Sequence, residues 1–185
     1  MTQPRHGAVL WHATASLDGY IATPGDDVSW VFDYVNPADP GAEGVGERVG
    51  AVLAGRRSFE AGRRDGRDVL DGAWAGPKYL LTHRPVDGLP DGVALRSGDV
   101  GPVVEEARRA ADGKDVLLIG ADVARQCLAA GLVHEVVLHV APVLLADGVR
   151  FRGPAGRTDL RLVDVGRHGE LVTLRYRTSL HSLEN

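Results

Sequence analysis

The sequence predicts an α/β fold, with a mostly parallel sheet and helices on both of its faces. Short apolar runs rich in β-branched residues alternate with amphipathic segments along most of the chain. Residues 116–119 (VLLI) form such a run, which is typical of a strand that is covered on both faces. Two alternating segments, residues 158–166 and 171–178, flank Arg167-His168-Gly169 and predict an antiparallel hairpin at the C-terminal edge of this sheet.

The first half of the chain predicts strands that alternate with short helical segments. Strands are predicted at residues 8–16, 51–54, 78–82 and 93–95, and helical pieces at residues 28–35, 43–49 and directly after Gly55. Residues 17–30 form a long connection with two turn pairs, and a connection of this length is often functional. Residues 62–76 are polar and irregular, which indicates a surface loop anchored by Trp74.

The second half predicts two amphipathic helices separated by the strand at residues 116–119. The first spans residues 99–111, and its apolar stripe consists of Val100, Val103, Val104, Ala107 and Ala111. The second follows Gly120, with Asp122 predicted as its N-cap. Its apolar face is predicted to consist of Val123, Cys127 and Ala130.

Residues near the end of this second helix predict how it stops. Gly131 is placed as a C′ cap, and Leu132 is placed to pack back on Leu128. A strand follows at residues 135–141. In the first arm of the terminal hairpin the apolar phase shifts between Leu162 and Val163, which predicts a β-bulge.

Composition favours one domain over residues 1–185 and argues against several classes of protein. The 185 residues are 44% hydrophobic and 25% charged, with a net charge of −4. Since no basic surface is indicated, we expect no nucleic-acid partner. No apolar run has the length of a membrane span or a signal peptide, so we expect a cytoplasmic protein. The single cysteine, Cys127, excludes an internal disulfide, and we interpret it as a buried thiol.

Cationic or small residues follow four of the predicted strands. These positions are Gly55-Arg56-Arg57-Ser58, Thr82-His83-Arg84, Arg96-Ser97 and the turn at Gly120. Ligands bind beyond the carboxyl ends of parallel strands, and helix N-termini with arginines favour phosphate there. We therefore predict a phosphate-binding edge. Taken singly, each arginine is better interpreted as an ordinary solvated side chain, whereas the set together favours binding. The Gly120 turn alone lacks a full glycine fingerprint or a Walker lysine.

Several segments resemble the dihydrofolate reductase superfamily. They are ASLDGYIA (residues 15–22), LAGRRSFE (53–60), KYLLTHRP (78–85), the stretch at residues 117–148 and the terminal hairpin. The match is closest to the branch related to the C-terminal reductase domain of the bacterial riboflavin-biosynthesis deaminase/reductase. This resemblance implies a dihydrofolate-reductase-like three-layer αβα fold, NADPH along the carboxyl edge of the sheet, and a homodimer.

The resemblance also implies roles for particular residues. Cofactor-binding residues would be Thr14, Ile21, Gly55, Arg56, Arg57, Ser58, Thr82, His83, Arg84, Arg96, Ser97, Ile119, Gly120, Ala121, Asp122, Val123, Ala124 and Gln126. Within this set, Thr14 and Ile21 would flank the nicotinamide. The arginines near residues 56 and 84 would hold the adenosine side and its 2′-phosphate. Arg96 and Ser97 would lie near the adenine.

Two positions depart from the family pattern. The family usually carries Gly-Gly after the strand, often with a cis peptide, whereas this chain has Gly120-Ala121. A cis bond before a residue other than proline costs about 3 kcal/mol. The folate enzymes also carry a catalytic carboxylate on the first helix. Asp33 is the nearest candidate here, and it is equally interpretable as a solvated helix acid, while Asp18 is interpreted as a turn residue.

These features predict a reductase that transfers hydride from NADPH to a C=N or C=O bond of a small planar heterocycle, of pterin or pyrimidine type. The proton would come from Asp33 or from water. The sequence leaves open whether four aromatic residues line the substrate pocket or belong to the core. They are Trp11, Trp30, Phe32 and Tyr34.

Two other functions stay open from the residues alone. One is a nucleotide-binding module on the same fold without catalysis. The other is a different NADP reductase on a doubly wound sheet, which would need a fuller glycine fingerprint than this chain has. No metal site is expected, because His134 and His139 are five residues apart and would point to opposite faces of a strand.

Overall fold

Residues 7–34, 47–64 and 75–179 are described by a computed structural model. Their centre is an eight-stranded sheet in the order β5-β4-β3-β6-β1-β7-β10-β9. The strands are β1 (Val9–Ser16), β3 (Val49–Gly55), β4 (Lys78–Leu81), β5 (Val93–Arg96), β6 (Asp115–Ile119), β7 (Glu135–Ala141), β9 (Leu160–His168) and β10 (Leu171–Thr178). A separate antiparallel ribbon pairs β2 (Tyr20–Ala22) with β8 (Val149–Arg150).

The strands from β5 to β7 are parallel to their neighbours, and β10 and β9 are added antiparallel. Within the described ranges, three α-helices pack on this sheet, namely α1 (Arg56–Arg64), α2 (Val100–Ala110) and α3 (Ala121–Ala129). Helices α2 and α3 cover one face, and α1 covers the other through Phe59. The predicted mostly parallel sheet with helices on both faces and an antiparallel hairpin is confirmed.

The larger part of the core lies under α2 and α3. The stripe predicted for α2 is buried there, which confirms the helical spacing read from the sequence. Trp11 lies in the same core and stacks on Phe151 with 4.2 Å between ring centroids, so it is a core residue. Cys127 is also buried, and burial raises the pKa of its thiol to about 12.

The C-terminus of α3 has the predicted glycine cap. Gly131 has φ +70°, and its N–H donates to the carbonyl of Leu128 at 3.1 Å. The N–H of Leu132 donates to the carbonyl of Cys127 at 2.9 Å, which completes a Schellman motif. Ala130, predicted on the apolar face, is instead the exposed C-cap residue, because the helix ends one residue before it.

The structure corrects several predicted boundaries. The predicted helical piece at residues 43–49 is wrong at its end, since Val49 begins β3, and residues 43–46 lie outside the described residues, as does Trp74. Helix α1 continues to Arg64, into the loop predicted from residue 62. The predicted helix at residues 28–35 is a shorter 3-10 helix, Ser29–Asp33. The predicted bulge is confirmed, because the register of β9 on β10 skips Val163.

The ribbon of β2 and β8 connects two segments that are distant in sequence. Its residues belong to the long connection after β1 and to the loop after β7. The periodicity of a three-residue and a two-residue strand is too short to be recognised in a sequence. No helix in the described part of the chain is long and apolar enough to cross a membrane.

Candidate functional site

A cleft of about 830 Å³ opens at the carboxyl ends of β3, β4 and β6. Its walls are the first turns of α1 and α3, the loop after β4, and the ribbon of β2 and β8. This is the edge at which parallel sheets bind ligands, because each strand end is followed by a turn that exposes backbone groups.

The cleft brings together most of the residues predicted to bind a cofactor. Those on its surface are Ile21, Gly55, Arg56, Arg57, Ser58, Thr82, His83, Arg84, Gly120, Ala121, Asp122, Val123 and Gln126. The remaining predicted residues do not line it, namely Thr14, Arg96, Ser97, Ile119 and Ala124. Ala124 is completely buried in the core under α3, and Ile119 packs against the core under α1.

Two helix N-termini meet in the cleft. Helix α1 begins directly after Gly55, and α3 begins directly after Gly120. The first helical hydrogen bond of α3 runs from the N–H of Ala124 to the carbonyl of Gly120 at 3.1 Å, so the preceding amide groups have no acceptor within the helix. These amides and the two helix dipoles give this part of the cleft a partial positive charge, which favours phosphate.

The approach of α1 to the β6–α3 turn depends on glycine at position 120. Gly120 has φ +104°, a conformation that other L-residues rarely adopt. A Cβ at this position would lie 2.4 Å from Oγ of Ser58, which is in the first turn of α1. The peptide bond between Gly120 and Ala121 is trans, as are the other described peptide bonds.

The charge of the cleft is predominantly positive. Its lining contains six arginines (56, 57, 84, 125, 150 and 152) and three aspartates (26, 122 and 147). Arg56 forms an ion pair with Glu60 at 2.5 Å, four residues along α1. The guanidinium groups of Arg57 and Arg84 make no hydrogen bond or ion pair with any described residue. These two cations are therefore available to an anionic ligand.

Asp122 is not the N-cap that the sequence predicts. The cap position is Gly120, and Asp122 lies in the first turn of α3. Its carboxylate accepts hydrogen bonds from Arg125 at 2.6 Å and from Gln126 at 2.9 Å. The bond from Arg125, then that from Gln126, and the nearby charge of Arg57 lower the pKa of this carboxyl against the opposing effect of burial. Asp122 therefore neutralises part of the positive charge at this end.

The loop after β4 is shaped by Thr82. Its Oγ1 accepts a hydrogen bond from the backbone N–H of Arg84 at 3.1 Å, and it lies 3.2 Å from the carbonyl of the same residue. Thr82 itself is 8% exposed, while His83 and Arg84 are exposed. A buried hydroxyl thus fixes the turn that directs these two side chains toward the cleft.

Arg96 forms its contacts outside the cleft. Its guanidinium makes two hydrogen bonds to the carboxylate of Glu106 on α2, at 2.8 Å and 2.5 Å, and lies 5.6 Å from the centre of the Tyr79 ring. The hydrogen bond to Glu106 raises the pKa of Arg96. Ser97 next to it is exposed. The predicted contact of these two residues with adenine stays a prediction.

The ribbon supplies cleft residues that sequence reasoning missed. Tyr20 and Arg150 face each other across β2 and β8. Arg150 donates to the Tyr20 hydroxyl at 2.8 Å and lies 4.4 Å from its ring centre, and that hydroxyl donates to the carbonyl of Ala146 at 3.1 Å. Arg152 lines the same wall. Only the pairing of segments about 130 residues apart reveals these cations, and the apolar Tyr20 and Ile21 in a loop were the sole sequence signal.

Asp18 holds the turn between β1 and β2 against the loop after β7. Its carboxylate accepts a hydrogen bond from Ser16 Oγ at 2.5 Å, and from the backbone N–H groups of Leu145 at 3.1 Å and Ala146 at 2.8 Å. The bond from Ser16, followed by those from the backbone, lowers the pKa of Asp18. The side chain is therefore a structural turn residue, as the Asp-Gly pair predicts.

Asp33 and three of the aromatic candidates lie away from the cleft lining. Asp33 is exposed at the last residue of the 3-10 helix. Trp30 is partly buried, and Phe32 is 38% exposed. Neither these residues nor Tyr34 belongs to the cleft lining. The catalytic role of Asp33 therefore stays a prediction. Within the described residues, no three His, Cys, Asp or Glu side chains are grouped to hold a metal ion.

The family is decided by a match to a family model. The model that describes the RibD C-terminal domain matches residues 8–174. The chain belongs to the RibD C-terminal domain family. The match contains the described cleft residues at both of its walls, from Tyr20 to Arg152. The search of curated protein sequences finds no match.

Solved structures agree with the RibD C-terminal fold. A protein named for riboflavin biosynthesis from Shewanella sp. PV-4 is 21% identical, with a TM-score of 0.78 over 93% of this chain and 99% of that one. The deaminase/reductase of Thermotoga maritima is 18% identical with a TM-score of 0.65, over 94% of this chain and 57% of that one. Dihydrofolate reductase from Enterococcus faecalis, solved with NADP(H), is 17% identical with a TM-score of 0.58, over 94% and 98%.

Proposed function

We propose that this RibD C-terminal domain protein is an NADPH-dependent reductase that transfers hydride to a small planar heterocycle of pterin or pyrimidine type. The family supports a reductase, since the T. maritima relative is named a 5-amino-6-(5-phosphoribosylamino)uracil reductase and the E. faecalis relative a dihydrofolate reductase complexed with NADP(H). The observation that carries the proposal is the cleft, where two helix N-termini and two uncommitted arginines face one space.

The described residues fit a phosphorylated dinucleotide. The amide groups at the start of α3 offer donors to the pyrophosphate. Arg57 and Arg84, which follow neighbouring strands, would hold the 2′-phosphate, with Ser58 and Thr82 beside them. Each charge-assisted hydrogen bond contributes roughly 1.5–3 kcal/mol, so one arginine accounts for about tenfold to a hundredfold in affinity.

When bound, NADPH would supply the hydride. The chain would orient and enclose the reacting groups: Ile21 on β2 and Thr14 on β1 are proposed to flank the nicotinamide, and the wall of Tyr20 and Arg150 to exclude water beside them. We retain Asp33 as the candidate proton donor, with water as the alternative, because the reduced heteroatom needs one proton.

Calorimetric titration with NADPH and NADH tests the cofactor. We expect NADPH to bind about tenfold more tightly or better, because only NADPH carries the 2′-phosphate. Equal affinity for the two, or no binding of either, contradicts the proposal. For substitutions of a cleft arginine, Arg161→Ala is the matched control. It removes one positive charge from an exposed position on β9 that does not line the cleft.

A nucleotide-binding module without catalysis is the second candidate. It is favoured by Ala121, whose methyl group stands in the cleft where the family usually has glycine, and by the position of Asp33 outside the lining. Loss of the reduced-nicotinamide absorbance is measured with dihydropterin and aminopyrimidine acceptors. Steady oxidation supports the reductase, whereas tight NADPH binding without turnover on any acceptor supports the module.

We also propose a homodimer through the face of β9 and β10 on the α2 side. Exposed apolar side chains share this face, namely Leu160, Leu162, Val165 and Val172. Strand β9 is also a sheet edge, so a second copy would cover both the apolar patch and the edge. Light scattering should give twice the chain mass. Leu162→Asp should give the single mass, while Arg161→Asp on the opposite face should leave the dimer intact.

A further inference from the structure

A row of polar side chains crosses three strands on the face of the sheet that α1 covers. Nε2 of His12 on β1 lies 2.7 Å from Nε2 of His139 on β7. Nδ1 of His139 lies 2.7 Å from Oγ1 of Thr173 on β10. The two imidazole rings meet edge to face, with centroids 4.8 Å apart. His12 and His139 are 127 residues apart in the chain, and His139 and Thr173 are 34 apart, so the strand order brings the three together.

This row lies directly behind the cleft. The register of β1 on β6 pairs Trp11 with Leu118, which places His12 beside Ile119. The residue that follows β6 is Gly120, a cleft residue. A strand rises by about 3.3 Å per residue and neighbouring strands lie about 4.8 Å apart, so this register places the backbone of His12 about 6 Å from that of Gly120. His139 on β7 is paired with Thr14 on β1, the proposed neighbour of the nicotinamide.

Both rings are neutral near neutral pH. Burial, and then the adjacent His139, lower the pKa of His12 to about 3. Burial, and then His168 on β9, lower the pKa of His139. Further charged groups on this face of β9 and β10 are Arg175 with Asp164 opposite it, and Arg177 with Arg161 opposite it. None of the described neighbours is a carboxylate in contact with either ring.

Neutral rings leave the row two self-consistent arrangements. In one, His139 donates from Nε2 to His12, and the Thr173 hydroxyl donates to Nδ1 of His139. His12 then carries its proton on Nδ1. In the other, every donor and acceptor is reversed, and Nδ1 of His12 is an acceptor. This nitrogen has no hydrogen-bond partner among the described residues, whereas the ring is partly exposed.

We propose that Nδ1 of His12 binds the N–H or C=O edge of an uncharged heterocyclic substrate, and that His139 and Thr173 are positioning residues that hold its ring and tautomer. This inference rests on the proposed reductase function and identifies the His12 imidazole as a group that would hydrogen-bond the substrate. Because the row can reverse, it matches either a donor or an acceptor without a change in charge. Because it carries no anion, it offers no ion pair to a protonated heterocycle.

Nitrogen-15 NMR of the NADPH-saturated protein tests the contact in the wild-type chain. The probes are isocytosine, which is neutral and presents a donor and an acceptor, and 2,4-diaminopyrimidine, which protonates more readily. We expect isocytosine to shift the His12 ring nitrogens and to bind more tightly than the protonated diamine. Unmoved His12 signals, absent isocytosine binding, or tighter binding of the protonated diamine overturns the inference.

Substitutions distinguish the residue that contacts the substrate, His12, from a residue that positions it, Thr173. His12→Leu should weaken isocytosine binding about tenfold, the effect of one lost hydrogen bond, while His12→Asn should retain part of it. Thr173→Val should weaken it about threefold and change the tautomer signature of His139, and Thr173→Ser should restore both. Thr158→Val, at an exposed threonine outside the row, is the matched control and should change neither.

NADPH affinity distinguishes a failure of the proposed reductase function from a failure of the inference about His12. All of these variants should bind NADPH as the wild type does, because none of the substituted residues lines the cleft. Failure of the wild type to bind NADPH overturns the reductase proposal, and this inference with it. Normal NADPH binding with unchanged isocytosine affinity in His12→Leu overturns the inference alone.

Discussion

The two ends of the sheet use the same kind of charged residues for opposite purposes. At the amino end, Arg48 lies 2.8 Å from Asp115 and 3.6 Å from Glu135, and Arg177 lies 3.3 Å from Glu135. At the carboxyl end, Arg57 and Arg84 have no such partner in the described chain. Charges at the first end neutralise each other, whereas those at the second leave a positive cleft.

This difference distinguishes arginines that are paired within the fold from unpaired ones better than sequence or exposure does. Arg48 is 37% exposed, as is Arg96 with its partner Glu106, so exposure alone assigns neither of them. What distinguishes them is whether the fold supplies the carboxylate. Asp115 and Glu135 are nearly buried and need their arginines, while Arg57 and Arg84 of the cleft have no carboxylate partner among the described residues.

The largest effect on stability should come from the amino end. Asp115→Ala removes the partner of Arg48 and the acceptor of the Ala8 N–H at 2.7 Å. Breaking a buried pair costs about 3 kcal/mol or more, and the partial exposure of Arg48 reduces our expectation to about 2 kcal/mol. Urea unfolding measures it, and NADPH affinity of the folded variant should not change. Asp159→Ala, in an exposed pair with Arg157, should cost less than about 0.5 kcal/mol.

The largest effect on affinity should come from the carboxyl end. Arg57→Ala and Arg84→Ala should each weaken NADPH binding by about tenfold to a hundredfold and narrow its preference over NADH. Calorimetry measures both. The free energy of unfolding should change by less than about 0.5 kcal/mol, because neither guanidinium forms a hydrogen bond or ion pair with a described residue. A fall in stability as large as that of Asp115→Ala would remove the distinction between the two ends.

Gly120→Ala should affect stability and binding together, because this position joins the core to the cleft. The positive φ and the 2.4 Å approach to Ser58 Oγ both oppose a methyl group. We expect a loss of about 1–2 kcal/mol in unfolding free energy. Ser58→Gly in the same chain should recover part of it by making room, although the strain from φ persists. An unchanged melting temperature for Gly120→Ala would contradict this account.

A pH dependence of stability should come from the histidine row, which belongs to neither end. The pKa of His12 falls from 6.5 in the unfolded chain to about 3 in the folded one, and that of His139 is also lowered. Below 6.5 the unfolded chain binds protons that the folded chain does not. The stabilisation is therefore complete above 6.5 and is lost as pH falls toward 3.

Urea midpoints at about pH 7 and about pH 5 measure this loss, in a range where carboxyl groups with lowered pKa stay ionised. His12→Asn should reduce the difference between the two midpoints. The exposed His83 gives the matched control, and His83→Asn should leave the difference as in the wild type. A wild-type midpoint that rises on acidification would show that the row is charged in the folded state.

Much of the fold could be predicted because its signals are local. Buried parallel strands are continuous apolar runs, and the stripe of α2 repeats at helical spacing, so residues 51–54, 78–82 and 116–119 were recognised as strands. The Schellman cap at Gly131 and the bulge at Val163 follow from a few neighbouring residues. The convergence of Arg57, Arg84 and Gly120 was also predictable, because parallel strands present their carboxyl ends on one edge.

The sequence by itself determined the longer strands and helices and which cations follow the strands. Tertiary structure alone decided how those cations are used. Arg96 is hydrogen-bonded to Glu106, and Arg150 to Tyr20 across the ribbon. His12 is hydrogen-bonded to His139 because β1 lies beside β7. The physical reason is that periodicity acts over a few residues, whereas the pairing of a charge or an imidazole depends on how the elements pack, over separations from 10 residues for Arg96 and Glu106 to 130 for Tyr20 and Arg150.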